Sequence, residues 1–219
     1  MTKINSKKYE FINPKKNINN ALFYLPVLKS NFDMVSNLYS DIRNTLYAGC
    51  MYIPNLIAEK NDLKLFNQIL EEININFKSD DNSTLVNWSK HYKIENPDSL
   101  SPTFQKIVNE LASFFKITVL ATRLNYYTDA DFKPFHHDSH AYSNGIKEDI
   151  TIGCSLGSTR SLSFKHVESG RFFEFPQHNG DIFSFDHETN KKFQHGVPKL
   201  RKSDPDNIRI SIIIWGKKN

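Results

Sequence analysis

The sequence predicts an α+β chain: a double-stranded β-helix (jelly roll) with N-terminal helices packed on one of its sheets. Two observations carry that expectation. From Ile117 onward the apolar pattern breaks into short β-branched and aromatic runs separated by Gly, Pro, Asn and Asp, which reads as many strands joined by turns. Ahead of that point, apolar residues recur at helical spacing on single stripes. Strands at this density suit two stacked sheets.

Residues 1–20 read as a flexible basic arm, with Lys3, Lys7, Lys8, Lys15 and Lys16 interleaved with Tyr9 and Phe11. A solvated arm is its plain role, and contact with phosphates the alternative. Residues 21–219 form a single domain, with helical support over 21–116 and the jelly-roll core over 117–217. The pattern from about 30 to 116 is helical. Asn61 is the expected cap of a segment in which Phe66, Ile69, Leu70, Ile73 and Phe77 share one stripe. Ser101 as N-cap and Pro102 at the first helical position open a second, whose face is Phe104, Ile107, Val108, Leu111, Phe114 and Phe115. Both stripes need a sheet to cover them. Strands are expected at 117–127, 149–156, 161–166, 171–175, 181–185 and 208–215, and loops at 79–83 and 199–207. There is no internal repeat.

At 219 residues and 39% hydrophobic content, the chain can bury a full core. No run of about 18 apolar residues occurs, and the N-terminus lacks the apolar stretch of a signal peptide. The expectation is an intracellular protein, cytoplasmic or nuclear, without a membrane segment. Cys50 and Cys154 are far apart and offer neither a disulfide framework nor metal-like spacing. A net charge of +4 permits nucleic-acid binding without predicting it.

The chemistry concentrates at Phe135-His136-His137-Asp138. On extended backbone, residues i and i+2 point the same way, so His136 and Asp138 present an imidazole and a carboxylate on one face. His137 has only Ser139 at that spacing. Alone, His-x-Asp more often marks a surface pair than a metal site. A third ligand must come from a distant strand, and His166, His178, His187 and His195 are available. We choose His195: Phe193 and Gly196-Val197-Pro198 bracket it, and one loop separates it from Arg209, so one strand reaches the metal and the next carries the arginine inward. His136, Asp138 and His195 then make a facial triad with three open positions, the arrangement of non-haem Fe(II) oxygenases.

Arg209 opens Arg209-Ile210-Ser211-Ile212-Ile213-Ile214-Trp215, a run that reads as a strand buried on at least one side. A guanidinium there requires an anionic partner. Its fork suits a carboxylate, and Ser211 faces the same way. An internal Asp or Glu is one partner; a free dicarboxylate beside a metal is the other, which three ligands upstream favour.

With these blocks in order, the stretch from about Ala121 to Lys217 resembles the AlkB-like branch of the Fe(II)/2-oxoglutarate-dependent dioxygenases. Leu124-Asn125-Tyr126-Tyr127 is similar to the family's Asn-x-Tyr strand, Gly180-Asp181-Ile182-Phe183 to its Gly-Asp turn, and His195-Gly196-Val197-Pro198 to its distal histidine. The resemblance implies Fe(II) on His136, Asp138 and His195, with 2-oxoglutarate as co-substrate and O2 as oxidant. It implies that Arg209, Ser211 and Tyr127 hold the distal carboxylate, while Asn125 assists the end chelated to iron. The implied reaction oxidises a C–H bond with release of succinate and CO2, in this branch the demethylation of alkylated DNA or RNA.

Two departures stand out. The family commonly has a second arginine six residues after the first, where this chain has Trp215, so Asn125 or a nearby lysine such as Lys217 must do more, or the co-substrate is bound more weakly. Several of its demethylases carry an acidic residue two positions after the metal aspartate, and here that residue is His140. His137, His140 and Tyr142 are the substrate-pocket candidates, as rings that stack on a base. Otherwise they pack the strand exit and orient the ligands. Two further readings remain: hydroxylation of a protein side chain or small molecule, and a non-catalytic relative that binds a partner, against which an intact triad argues.

Overall fold

The structure, a computed structural model, describes residues 10–13, 27–33, 36–73, 84–86, 91–128, 130–200 and 207–219. The lysines of the N-terminal arm, Phe77, the loop at 79–83 and most of the loop at 199–207 lie outside the described residues.

The helical half begins with β1 (Lys29–Ser30), a 3-10 turn at Asn37–Tyr39 and α1 (Ser40–Gly49). It continues through β2 (Cys50–Ile53), α2 (Lys64–Ile73), β3 (Thr84–Val86), β4 (His91–Glu95) and α3 (Pro102–Phe115). Ser101 caps α3 as expected, its Oγ accepting from the Phe104 amide at 3.0 Å. α2 starts at Lys64, so Asn61 lies too far ahead to cap it; Asp62 Oδ1 accepts from the Lys64 amide at 3.0 Å in an Asx turn leading into the helix. Phe66, Ile69 and Ile73 of α2 and Phe104, Ile107, Leu111 and Phe115 of α3 are buried in one cluster. Each contributes about 1.5–3 kcal/mol.

The region 30–116 is less helical than its pattern suggests, because it also holds β2, β3 and β4. These strands are too short to display a period of two. Pairing decides them: β2 lies along β12 and β4 along β5, and sheet context overrides weak local preference.

The second half runs through β5 (Ile117–Tyr127), β6 (Lys133–His136), β7 (Tyr142–Ser143), β8 (Ile146–Lys147), β9 (Ile150–Gly157), β10 (Arg160–His166) and β11 (Phe172–Gln177). Then come β12 (Ile182–Asp186), α4 (His187–Lys192), β13 (Phe193–Val197) and β14 (Arg209–Lys218). All six expected strands are present. The larger sheet has the order β2-β12-β9-β14-β5-β4-β3 and the smaller β1-β11-β10-β13-β6, with β7 and β8 as a separate pair. Their ladders are antiparallel, as in a jelly roll.

Strand alternation divides the larger sheet into two faces. Ile210, Ile212 and Ile214 of β14, with Ile150, Ile152, Cys154 and Leu156 of β9, pack in the cluster under the helices. Arg209, Ser211, Ile213 and Trp215, with Thr151 and Gly153, line a cavity between the sheets. The remainder of the inter-sheet space is filled by Phe164, Phe173, Phe175, Phe183, Phe185 and Phe193. Aromatic packing thus closes one part of the sandwich and leaves the polar part as the site.

The Gly180-Asp181 turn fixes where β12 starts. Gly180 has φ +80, and a Cβ there would meet the Ala58 carbonyl oxygen at 1.9 Å, so only glycine fits. Buried Asp181 accepts from Tyr52 Oη at 2.5 Å, the Asn55 amide at 3.0 Å and the His178 amide at 2.9 Å. Cys50 and Cys154 are buried free thiols. Among the described residues, no helix is long and apolar enough to cross a membrane.

Candidate metal centre

β6 and β13 are the strands expected to carry His136 and His195, and they pair with each other and bring the two histidines together. His136 and His195 are direct cross-strand partners, with ring centroids 4.3 Å apart. Asp138 follows β6, and its Oδ1 lies 3.8 Å from His136 Nε2 and 3.5 Å from His195 Nε2. One ligand atom from each of the three lies within 4.8 Å of the others.

Two of the three groups, His136 and Asp138, are set in the state a metal needs. His136 Nδ1–H donates to the Pro134 carbonyl at 3.0 Å, so Nε2 carries the lone pair. Burial, then the neighbouring His195 and Lys133, push the His136 imidazole down to about 3, keeping it neutral. Burial by itself would raise the Asp138 carboxyl, but the adjacent His195, Lys133 and Trp215 hold it well below the usual carboxylate range. Two imidazole nitrogens and a carboxylate oxygen on one side of a cavity fit Fe(II).

The carboxylate is also held in place. Its Oδ2 accepts from Thr151 Oγ1 at 2.8 Å and from Trp215 Nε1 at 2.9 Å, which leaves Oδ1 toward the histidines. Asn190 of α4 clamps the backbone of the same residue, accepting from the Asp138 amide at 3.0 Å and donating to its carbonyl at 2.9 Å. None of Thr151, Trp215 and Asn190 was expected in this role. The alternation Thr151-Gly153-Ser155 within an otherwise apolar strand was a legible signal for the first. The other two are fixed only by tertiary packing.

Arg209 is buried beside the triad, lining the same cavity. Its Nε donates to Ser155 Oγ at 2.8 Å, and its Cζ lies 5.4 Å from the Tyr127 ring centroid. No carboxylate pairs with it among the described residues, and its Nη1 is buried without a hydrogen-bond partner. Burial pushes the guanidinium down to about 10, so it stays charged. The internal Asp or Glu partner is therefore not what the structure shows. Ser211 and Asn125 are paired in register on β14 and β5, and both line the cavity with Tyr127. His91 Nε2 lies 3.0 Å from Asn125 Oδ1, and donation from the ring leaves the Asn125 amide N–H groups for the cavity.

The remaining expectations fall differently. His137, His140 and Tyr142 are absent from the cavity lining. His137 is bonded through Nδ1 to the Asn190 carbonyl at 2.5 Å. His140 is 2% exposed and sits behind the site. Its Nε2 contacts Thr151 Oγ1 at 3.0 Å and its Nδ1 contacts His187 Nδ1 at 3.1 Å. Since Thr151 donates to Asp138, His140 must donate to Thr151, which makes it an orienter of the carboxylate. Tyr142 is 71% exposed on β7. Lys217 does not reach the cavity in place of the absent arginine, because it pairs with Asp149 at 2.5 Å. Of the other histidines considered, His166 contacts Ser169, His178 contacts Thr159 and His187 contacts His140.

The fold is the jelly roll of the 2-oxoglutarate/Fe(II) oxygenases, with a two-histidine, one-carboxylate cluster in its cavity. No family model matches the chain and no curated protein matches it in sequence. Among solved structures it is similar to OsALKBH1, with a TM-score of 0.52 at 13% identity over 76% of this chain and 97% of that one. A 2OG-Fe(II) oxygenase family oxidoreductase from Burkholderia pseudomallei gives 0.52 at 10% over 90% and 97%. HygX from Streptomyces hygroscopicus, with nickel, 2-oxoglutarate and hygromycin B bound, gives 0.54 at 12% over 84% and 88%.

Proposed function

We propose that the protein is an Fe(II)- and 2-oxoglutarate-dependent dioxygenase. The observation that carries this is the pairing of Arg209, a buried cation with no carboxylate partner among the described residues, with three converging metal-ligand atoms in one cavity. A dicarboxylate that chelates a metal at one end satisfies both. Fe(II) and 2-oxoglutarate would supply oxidation of a C–H bond by O2, with CO2 and succinate as co-products.

The chain's own residues do the rest. His136, Asp138 and His195 would hold the metal. Thr151, Trp215 and His140 orient the carboxylate. Arg209, with Ser211 and Tyr127, takes the distal carboxylate, and Asn125 donates to the chelating end. The phenylalanine cluster around Phe164 keeps water from the buried side of the site. Succinate release that requires both Fe(II) and 2-oxoglutarate tests this reading; a purified, metal-loaded protein that neither binds nor consumes 2-oxoglutarate overturns it.

For the substrate we propose alkylated nucleic acid. Two exposed aromatic rings that flank the His136–Asp138 segment in sequence each carry a lysine: Lys165 Nζ lies 5.8 Å from the Phe135 ring and Lys147 Nζ 5.9 Å from the Tyr142 ring. Ring faces that stack bases beside cations that meet phosphates suit a single strand. The second reading is oxidation of a small molecule, supported by HygX, a structure of this fold with hygromycin B bound. Methylated oligonucleotides should bind less tightly as salt rises and should increase succinate release. Salt-independent binding with no stimulation favours the second reading.

A further inference from the structure

The cavity that holds the triad is lined by two cationic side chains, Arg209 and Lys133. Lys133 opens β6, the strand that ends at His136, and it lies opposite Val197 of β13, on the other wall of the cavity from Asn125. Other cations near it are engaged: Lys93 and Arg123 both pair with Glu95. Lys133 has no hydrogen bond or ion pair with any described residue. Its surroundings locate the charge. Lys133 acts electrostatically on His91, which holds Asn125, and on both His136 and Asp138. Register and cavity lining place Lys133 on the smaller-sheet wall of the cavity, on the strand that ends at His136.

An ammonium partly withdrawn from water and without an acceptor among the described residues is disfavoured. Burial pushes Lys133 down to about 8, and the Asp138 carboxylate only partly offsets that. Such a group belongs with an anion that the protein itself does not provide. The sequence offers Trp215 where the resemblance has a second arginine, and Trp215 spends its N–H on Asp138. The cationic partner for the metal-proximal end of the co-substrate must then come from another strand.

We propose that Lys133 binds the metal-proximal carboxylate of the 2-oxo acid, so that Lys133 and Arg209 clamp its two ends from opposite walls. This rests on the oxygenase reading above. Arg209, fixed by Ser155 and Tyr127, holds the distal end. Lys133 replaces on β6 the charge that Trp215 removes from β14.

Calorimetric titration of the Mn(II)-loaded protein, in which no turnover occurs, tests this with three ligands. 2-Oxoglutarate carries both carboxylates, 2-oxopentanoate lacks the distal one, and 4-oxopentanoate lacks the proximal one. Lys133→Gln should weaken 2-oxoglutarate and 2-oxopentanoate by about ten- to a hundredfold, the cost of losing a charged hydrogen bond, and leave 4-oxopentanoate unchanged. Arg209→Gln should show the opposite selectivity. Unchanged Mn(II) affinity in Lys133→Gln, together with partial rescue by Lys133→Arg, separates a lost contact from a collapsed site. Unaltered 2-oxoglutarate affinity in Lys133→Gln, or equal loss for 4-oxopentanoate, overturns the proposal. Failure of the wild-type protein to bind 2-oxoglutarate overturns the oxygenase reading itself, and this one with it.

Discussion

Trp215 Nε1 donates a 2.9 Å hydrogen bond to Oδ2 of Asp138, across the cavity-facing side of β14. The bond ties the one acidic member of the triad to the rigid centre of the larger sheet, and Thr151 supports it from β9. Trp215→Phe keeps most of the ring and removes only the donor. We expect Fe(II) affinity to fall by about tenfold or more, as when the partner that orients a metal ligand is lost, while the far-ultraviolet circular dichroism stays the same. Unchanged metal affinity would show that Thr151 and Asn190 suffice.

Arg209→Lys is expected to weaken 2-oxoglutarate binding by about tenfold or more, because an ammonium cannot reproduce the fork that meets a carboxylate at two points. Ser155→Ala, which frees Arg209 Nε from its 2.8 Å bond, should produce a smaller loss through poorer aim. Equilibrium binding to the Mn(II)-loaded protein measures both. Equal affinity in Arg209→Lys and wild type would leave the guanidinium without its assigned partner.

The strand pattern made much of this site readable. Period-two spacing predicts that His136 and Asp138 share a side, and that Arg209 and Ser211 face away from Ile210 and Ile212; the structure shows both. The helical stripes of α2 and α3 were equally legible, because each buries a continuous face. What escaped were elements defined by their partners. β2 and β4 are short strands that exist through pairing with β12 and β5. His140 looked like a pocket residue from its distance along the chain to Asp138, but a left-handed backbone at φ 41 belongs to the turn that places it behind the site. Lys133, three residues before His136, carries no motif and becomes visible only when its neighbours are seen to be paired.

His195→Ala should abolish metal binding and leave a folded protein. The imidazole is 7% exposed and sits against Phe164 and Phe185, with centroids at 5.9 and 4.8 Å. Truncation leaves a cavity costing about 1–3 kcal/mol, which a chain of this size with two hydrophobic clusters tolerates. Calorimetry with Fe(II) or Mn(II), read beside the urea midpoint, distinguishes the two effects. Full metal affinity in this variant would remove His195 from the site.

His91 gives the metal-free protein an acid sensitivity that can be isolated. Burial pushes its imidazole down to about 3, with the Lys133 charge adding to that and the Asn125 bond opposing it. The unfolded chain takes up this proton near 6.5, the folded chain only near 3, so between those values the unfolded state binds more protons and stability falls as pH falls. Each group of this kind contributes a slope of about 1.4 kcal/mol per pH unit. His136 behaves in the same way, and His140 and His166 are shifted in the same direction, so His91→Gln should remove one of several increments while its amide still donates to Asn125. Urea unfolding of the metal-free wild type and variant at pH 7, 6 and 5 measures the difference. Parallel stability curves would mean that His91 is already protonated in the fold, and that its contact with Asn125 and its stacking on Tyr127 at 4.7 Å hold an imidazolium.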